Sequence, residues 1–215
     1  MAFRDKNTAA VQVNELDQGA SAFRCFVAST LIDTPKGPRP VEALQAGDMV
    51  STLDHGPQPV AWVWNGRQPL QGVERGQRPV LICAGALGPG RPTRDLILSP
   101  HHRVLVGEAA QFTQRFGQST LATAQALTNE PGVRTMMGRK AIHWFNFACD
   151  RHQVVCANGV LTESLLIEAE ALASMTGPER RQIARAFPGR NGALLNGPPA
   201  RPLLAAPQAG QGLAA

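Results

Sequence analysis

The chain has 215 residues, 43% hydrophobic and 17% charged, which suffices to bury one sizeable core and excludes disorder over most of its length. Lys+Arg 21 against Asp+Glu 16 leaves a charge of +5, spread along the chain rather than gathered in a patch, so nucleic acid is not expected as a partner. No apolar run reaches the roughly 18 residues of a membrane span. Residues 1–20 lack the apolar stretch of a cleaved secretion signal, which makes the cytoplasm the default location and leaves export without such a signal open.

Abundant Gly (21) and Pro (17) beside 5% aromatic residues favour short strands joined by tight loops over a helical bundle. Residues 1–24 are small and polar without periodicity and read as a flexible leader. At Cys25 the texture changes: Cys25 to Ile32 reads as a strand, closed by turn residues from Asp33 to Pro40. Val41–Leu44, Met49–Leu53, Val60–Trp64 and Val80–Cys83 follow as short runs bounded by Gly, Pro, Asp or Asn. Trp62 and Trp64, two apart, share one strand face and belong to core or rim. Leu96–Leu98 and Val104–Val106 flank Ser99-Pro100-His101-His102. Leu121–Leu127 fits either a short helix or a strand and loop. Ala141–Phe147 and Gln153–Cys156 read as two paired strands around Asp150-Arg151-His152, and Asn158-Gly159 is a turn signal. Thr176-Gly177-Pro178-Glu179 resembles a helix start, after which Ile183, Ala184 and Phe187 share a helical face while Arg180, Arg181 and Arg185 face solvent. Beyond Phe187 the Gly/Pro/Ala content predicts mobility. The organisation expected is a flexible leader (1–24), an all-β domain (25–168), a helical appendage (169–190) and a flexible tail (191–215).

Four cysteines (Cys25, Cys83, Cys149, Cys156) form no C-x-x-C pair and are too sparse for a disulfide scaffold, so they read as free thiols. Cys25 opens the folded domain directly after a soft leader. A thiol so placed can attack the carbonyl of the peptide bond preceding it, moving the leader from nitrogen to sulfur as a thioester; equally, it can be a small buried hydrophobe. Ser99 and His102, three residues apart, can converge on one amide, the imidazole protonating a departing amine and the hydroxyl steadying charge. A carboxylate at Asp150 can fix the tautomer of His152, or the pair can be a salt-bridged turn. His101, His102, His143, His152 and the cysteines match no common zinc spacing, and no metal or cofactor is expected.

Taken together, these blocks resemble the Hint domain shared by inteins and the autoprocessing part of Hedgehog proteins. Cys25-Phe26-Val27-Ala28-Ser29-Thr30-Leu31-Ile32-Asp33-Thr34, with Gly37, Pro40-Val41-Glu42, Leu44 and Gly47-Asp48-Met49-Val50, resembles the family's opening block. Ser99-x-x-His102 is similar to its Thr-x-x-His block, and His152 through Ala157-Asn158-Gly159-Val160 to its closing block. The wording of Gly56-Pro57-Gln58-Pro59-Val60, of Ser99 to Leu105 and of Asp150-Arg151-His152 is similar to a bacterial subgroup of stand-alone Hint proteins. The resemblance spans residues 23–168. It implies an all-β, horseshoe-like fold with pseudo-two-fold symmetry and a short C-terminal helical segment. It also implies a single-turnover reaction in which Cys25 attacks the bond after Arg24, His102 protonates the Cys25 nitrogen, Ser99 positions the amide, and His152 assists transfer, with Asp150, Asn146 and Asn158 in support. The substrate is then the protein's own leader, and the acceptor water, a thiol, an amine or an alcohol.

Three departures bear on the outcome. Inteins end in a His-Asn pair, whereas here Val160-Leu161-Thr162-Glu163-Ser164 follows Asn158-Gly159, so cleavage or transfer is expected rather than splicing. Asn146 stands where the subgroup usually has histidine, and Ser29 where glycine is commoner. The missing C-terminal Asn and Asn146 favour a second reading, a Hint fold without chemistry that serves as a structural or protein-binding module. A third is an unrelated hydrolase or metal protein built on Cys25 or the histidines.

Overall fold

The computed structural model describes residues 24–107 and 118–204, with the backbone of Asn14–Glu15; most of the expected leader and the end of the tail lie outside the described residues. In chain order the strands are β1 (Asn14–Glu15), β2 (Phe26–Val27), β3 (Leu31–Ile32), β4 (Arg39–Pro40), β5 (Met49–Thr52), β6 (Gly56–Pro69) and β7 (Val80–Ile82). They continue with β8 (Leu96–Leu98), β9 (Arg103–Val106), β10 (Thr120–Thr123), β11 (Val133–Thr135), β12 (Ala141–Cys149), β13 (Val154–Ala157) and β14 (Val160–Glu163), followed by helices α1 (Ala169–Ser174) and α2 (Gly177–Ala186). Eleven strands join in one open path, β10-β9-β14-β13-β5-β6-β12-β2-β8-β7-β11, with β1 beside β6 and the β3–β4 pair beside β13, an all-β body with a small helical segment.

Strand β6, 14 residues long, carries the path from one half of the body to the other. Its start pairs with β5 (Met49↔Pro59 to Thr52↔Gly56), and from Val60 to Pro69 it pairs with β12 (Cys149↔Val60 to Ala141↔Pro69). Pro57 and Pro59 lie near its beginning, and Pro69 ends it, where a missing N–H costs least. The pairing expected between 141–147 and 153–156 does not form. β12 is engaged by β6 on one side and β2 on the other, while β13 closes a hairpin with β14. That hairpin turns at Asn158 (φ 49°) and Gly159 (φ 81°), two left-handed residues whose twist suits a two-residue connection. Val41–Ala43 is one 3-10 turn rather than a strand, and the 121–127 ambiguity resolves into β10 followed by a 3-10 turn, Ala124–Leu127, capped by Thr123.

Two apolar cores result. One lies within the β-body around Phe26, Ile32, Val50, Leu98, Val104 and Phe147. The other, containing Trp62, Trp64, Trp144, Leu165, Ile183 and Phe187, is closed by the C-terminal helices. Trp62 and Trp64 are buried, as their spacing suggests, and the Trp64 indole N–H donates to Glu179 Oε1 at 2.6 Å. Glu179 also completes a capping box with Thr176, which fixes the start of α2. Ala184, expected on the inner face, is exposed; Ile183 and Phe187 face inward, with Ala186 packed beside them. Residues 191–204, read from composition as flexible, lie against the body: Asn196 is fully buried, accepting from the Ile167 N–H and donating to the Leu165 carbonyl.

Ser29 has a left-handed backbone (φ 67°), which explains why glycine is common there in the resembling sequences. Its N–H donates to Glu42 Oε2, a bond that any residue retains. Ser29→Gly should therefore stabilise the protein by about 1 kcal/mol. A urea titration checks this by an upward shift of the midpoint at unchanged slope.

Candidate active site

Cys25 immediately precedes β2, and register decides its neighbours. Phe26 pairs with Leu98 on β8 and with Phe145 on β12, so one step back Cys25 lies between Ser99 and Asn146. Alternation along the strand sends Phe26 into the β-body core and Cys25 towards the helix-covered core. The peptide bond between Arg24 and Cys25 is held at both polar atoms. The Cys25 N–H donates to Ser99 Oγ at 2.8 Å, and the Asn146 side-chain amide donates to the Arg24 carbonyl oxygen. Asn146 itself is fixed, because its Oδ1 accepts from the Phe147 N–H at 2.7 Å. The Ser99 N–H closes the frame on the Cys25 carbonyl at 3.0 Å.

His102 is fully buried, its ring packed edge-on to Phe26 with centroids 4.3 Å apart. Thr162 Oγ1 donates to the Arg103 carbonyl at 2.7 Å, so at its 2.6 Å contact with His102 Nε2 the hydroxyl accepts and the ring donates. The remaining nitrogen, Nδ1, has no well-formed hydrogen bond among the described residues. Burial is the main force holding the imidazole down to about 4; the Glu163 charge and the nearby Arg24 backbone pull upwards, the Arg24 and Arg103 charges downwards. The ring is thus held as a neutral imidazole beside the Arg24 backbone. Burial likewise pushes the Cys25 thiol well above its ordinary value, against the pull of the Arg24 charge.

Behind this centre lies a buried ion cluster. Glu163, with no exposed surface, accepts from the Arg103 N–H (2.9 Å), Arg103 Nη1 (3.1 Å) and His152 Nε2 (3.1 Å), and its Oε1 lies 3.5 Å from Arg24 Nε. Glu168 forms ion pairs with Arg24 Nη2 and, at 3.5 Å, with Arg103 Nη2. Burial alone would raise the Glu163 carboxyl, but the His152 hydrogen bond and the charges of Arg103 and Arg24 bring it down to about 2.

Cys25, Ser99 and His102 are thereby assembled around one peptide bond, with Asn146 as the donor on its carbonyl. His152 stands one residue further back. Its Nδ1 accepts from the Ala200 N–H at 2.9 Å and its Nε2 donates to Glu163, so it reaches Arg24 only through that carboxylate. Asp150 is at the surface, paired with Arg190. Asn158 ties the β13–β14 turn to the body: its Oδ1 accepts from the Leu31 N–H and its Nδ2 donates to the Asp95 carbonyl. Sequence pattern alone does not point to Thr162, Glu163 or Glu168, although a carboxylate ending the apolar run Val160–Leu161 is an available signal. Among the described residues no group of three His, Cys, Asp or Glu could hold a metal ion, and no helix is long and apolar enough to cross a membrane. A cleft of about 930 Å³ lies on the far side of His152, between Asp54, Asp150, Arg190 and Arg201; none of Cys25, Ser99, His102 or Asn146 lines it.

A family-level sequence profile described as a Hint domain matches residues 24–169. Among solved structures, a bacterial intein-like domain from Clostridium thermocellum is similar at 13% identity and a TM-score of 0.44, covering 67% of this chain and 100% of its own. A DnaB intein from Synechocystis sp. PCC 6803 is similar at 11% identity and a TM-score of 0.41, covering 67% and 100%. No curated protein matches the chain.

Glu163 titrates lower in the folded than in the unfolded chain, so the stability it contributes is present above its ordinary value of 4.5 and is lost as the pH falls towards 2. Glu163→Gln should lower stability at neutral pH by on the order of 3 kcal/mol and flatten its dependence between those limits. Urea unfolding followed from pH 7 to pH 2 measures both effects.

Proposed function

The chain belongs to the Hint-domain family, whose fold is that of an autoprocessing domain, and on that premise we propose that it cuts itself at the Arg24–Cys25 bond. The observation that carries this reading is the clamp on that one amide: Ser99 takes its N–H, and Asn146 donates to its carbonyl oxygen. An amide resists conversion to a thioester, so a site for this chemistry must stabilise charge on the carbonyl oxygen and deliver a proton to the nitrogen.

His102 Nδ1, as a neutral base, takes the proton of the Cys25 thiol. The sulfur attacks the Arg24 carbonyl carbon, and the oxygen, now an oxyanion, stays under the Asn146 N–H. His102 returns the proton to the Cys25 nitrogen, whose N–H orientation Ser99 fixes, and the carbon–nitrogen bond breaks. The products are a thioester between Arg24 and the Cys25 sulfur and a free Cys25 amine. Water, a thiol, an amine or an alcohol then takes the acyl group, restoring the thiol and releasing residues 1–24. Asn146 in this scheme fills the place of an oxyanion donor, which is why asparagine serves where the resembling sequences carry histidine.

Cleavage rather than splicing is supported by Asn158. Its side chain is engaged at both ends, and its own carbonyl accepts from the Thr93 N–H at 2.8 Å and hydroxyl at 3.1 Å, an arrangement for a turn and not for cyclisation. The buried thiol favours the second reading, an inactive Hint scaffold, and one experiment separates the two. Intact-mass spectrometry with a small thiol should give a chain beginning at Cys25 and a thiol adduct of residues 1–24, both absent from Cys25→Ala; full-length protein under every condition selects the inactive scaffold.

Asn146→Ala should slow release by roughly 10²–10³-fold, measured as single-turnover rates under conditions where the variant stays folded, and should lower the melting temperature by several degrees because the Phe147 N–H and the Arg24 carbonyl lose a buried partner. Because His102 titrates near 4, the rate should show no step around the ordinary histidine value of 6.5. Instead it should fall only as the pH approaches 4 and His102 takes up its proton, and rise at alkaline pH as the thiol ionises. A pH profile of the thiol-induced rate reads both limbs.

A further inference from the structure

We infer that Glu163 and Glu168 form a guanidinium subsite that makes the cut selective for arginine at the position preceding the cysteine, an inference that rests on the proposed acyl shift. Arginine is ordinarily a surface residue, yet Arg24 is only 8% exposed. Its guanidinium is shared between two carboxylates, Glu163 with no exposed surface and Glu168 with 18% of its side chain exposed. Arg103 binds the same two carboxylates from the other side, so the cluster holds two guanidinium groups and two carboxylates, and its charges balance. Without Arg24 it would hold a buried excess of negative charge, which is costly. A planar cation spanning two separate carboxylates is what arginine supplies; the ammonium of lysine is a point charge and reaches one.

The subsite bears on the reaction because side chain and reacting carbonyl belong to the same residue. With the guanidinium held by Glu163 and Glu168, and the carbonyl oxygen by Asn146, the Arg24 carbonyl carbon is fixed relative to Cys25. Glu163 and Glu168 touch neither the carbonyl nor the sulfur in any contact described, so they are positioning residues. His152 belongs to the same device, since its Nε2 orients the Glu163 carboxylate. After the shift the acyl group is still arginyl, so the same contacts retain the leader on the domain until an acceptor attacks.

The test uses the full chain with Arg24→Ala, Arg24→Lys and Glu168→Gln, read by single-turnover release under a small thiol and by melting temperature. The expected result is a roughly ten- to hundredfold slower release for Arg24→Ala and a smaller loss for Arg24→Lys and Glu168→Gln. Ethylguanidinium should restore much of the Arg24→Ala rate and raise its melting temperature, with ethylammonium doing neither and the parent unaffected by both. Arg24→Ala releasing its leader at the parent rate would overturn the subsite and leave the acyl shift intact. So would a slow Arg24→Ala that ethylguanidinium neither accelerates nor stabilises. A parent chain that never releases its leader, beside an Arg24→Ala variant still stabilised by ethylguanidinium, would overturn the acyl shift and leave the subsite standing.

Discussion

A single carboxylate with no contact to water, Glu163, joins the parts of this molecule that lie far apart in sequence. Arg24 comes to it from the end of the leader, Arg103 from β9, and His152 from the loop before β13, while Glu163 itself ends β14. A buried charge of this kind is tolerated only when hydrogen bonds and opposite charge surround it: the Arg103 guanidinium and N–H and the His152 imidazole donate to it, and the Arg24 guanidinium adds its charge from 3.5 Å. The cost of leaving any of them out fixes where the leader ends relative to the strands. The Arg24–Cys25 bond is thus located by electrostatics on one side and by strand register on the other.

Register does the rest. β2 is only two residues long, yet it is wedged between β8 and β12 and holds Cys25 level with Ser99 and Asn146. The two cores meet at this point, Phe26 facing one and Cys25 the other. Exclusion of water follows, and with it the lowered histidine and the raised thiol, two shifts with the same cause and opposite use. A neutral imidazole is ready to accept a proton at ordinary pH. A protonated thiol gives nothing away until a base and an aligned carbonyl are both present. The helices α1 and α2 belong to this arrangement rather than to an appendage, since Ile183, Phe187 and Met175 close the core in which Cys25 lies.

Much of the site was legible because its signals are local. Cys25, Ser99 and His102 stand in short blocks with characteristic neighbours, and the Asn158-Gly159 turn and the Thr176/Glu179 cap announce themselves through backbone preferences of the residues concerned. What was not legible depends on partners distant in sequence. Nothing near Ala141–Phe147 says that its neighbour is β6 and not β13, and the choice is made by a 14-residue strand that the sequence presents as a shorter run. Asn146 reads as an ordinary polar residue until β2 brings the Arg24 carbonyl to its amide. Arg24 reads as the last residue of a soft leader until two carboxylates enclose it. His152 closes the family's pattern, which implies a part in transfer, but it lies one contact away from the Arg24–Cys25 bond, through Glu163. Residues 191–204 have the composition of a loose tail, but the Asn196 amide, the Ala200 N–H to His152 and the Arg201–Asp54 pair fasten them down.

The account turns on whether the Arg24 carbonyl changes partner from nitrogen to sulfur. The most direct measurement is carbon-13 spectroscopy of the folded chain labelled at the Arg24 carbonyl, recorded without added thiol and followed as the pH is raised. The account predicts that part of the signal leaves the amide region for the thioester region in the parent chain, and that none does so in Cys25→Ala. An Arg24 carbonyl that remains an amide throughout, in a chain that is folded and has a free Cys25 thiol, would contradict it.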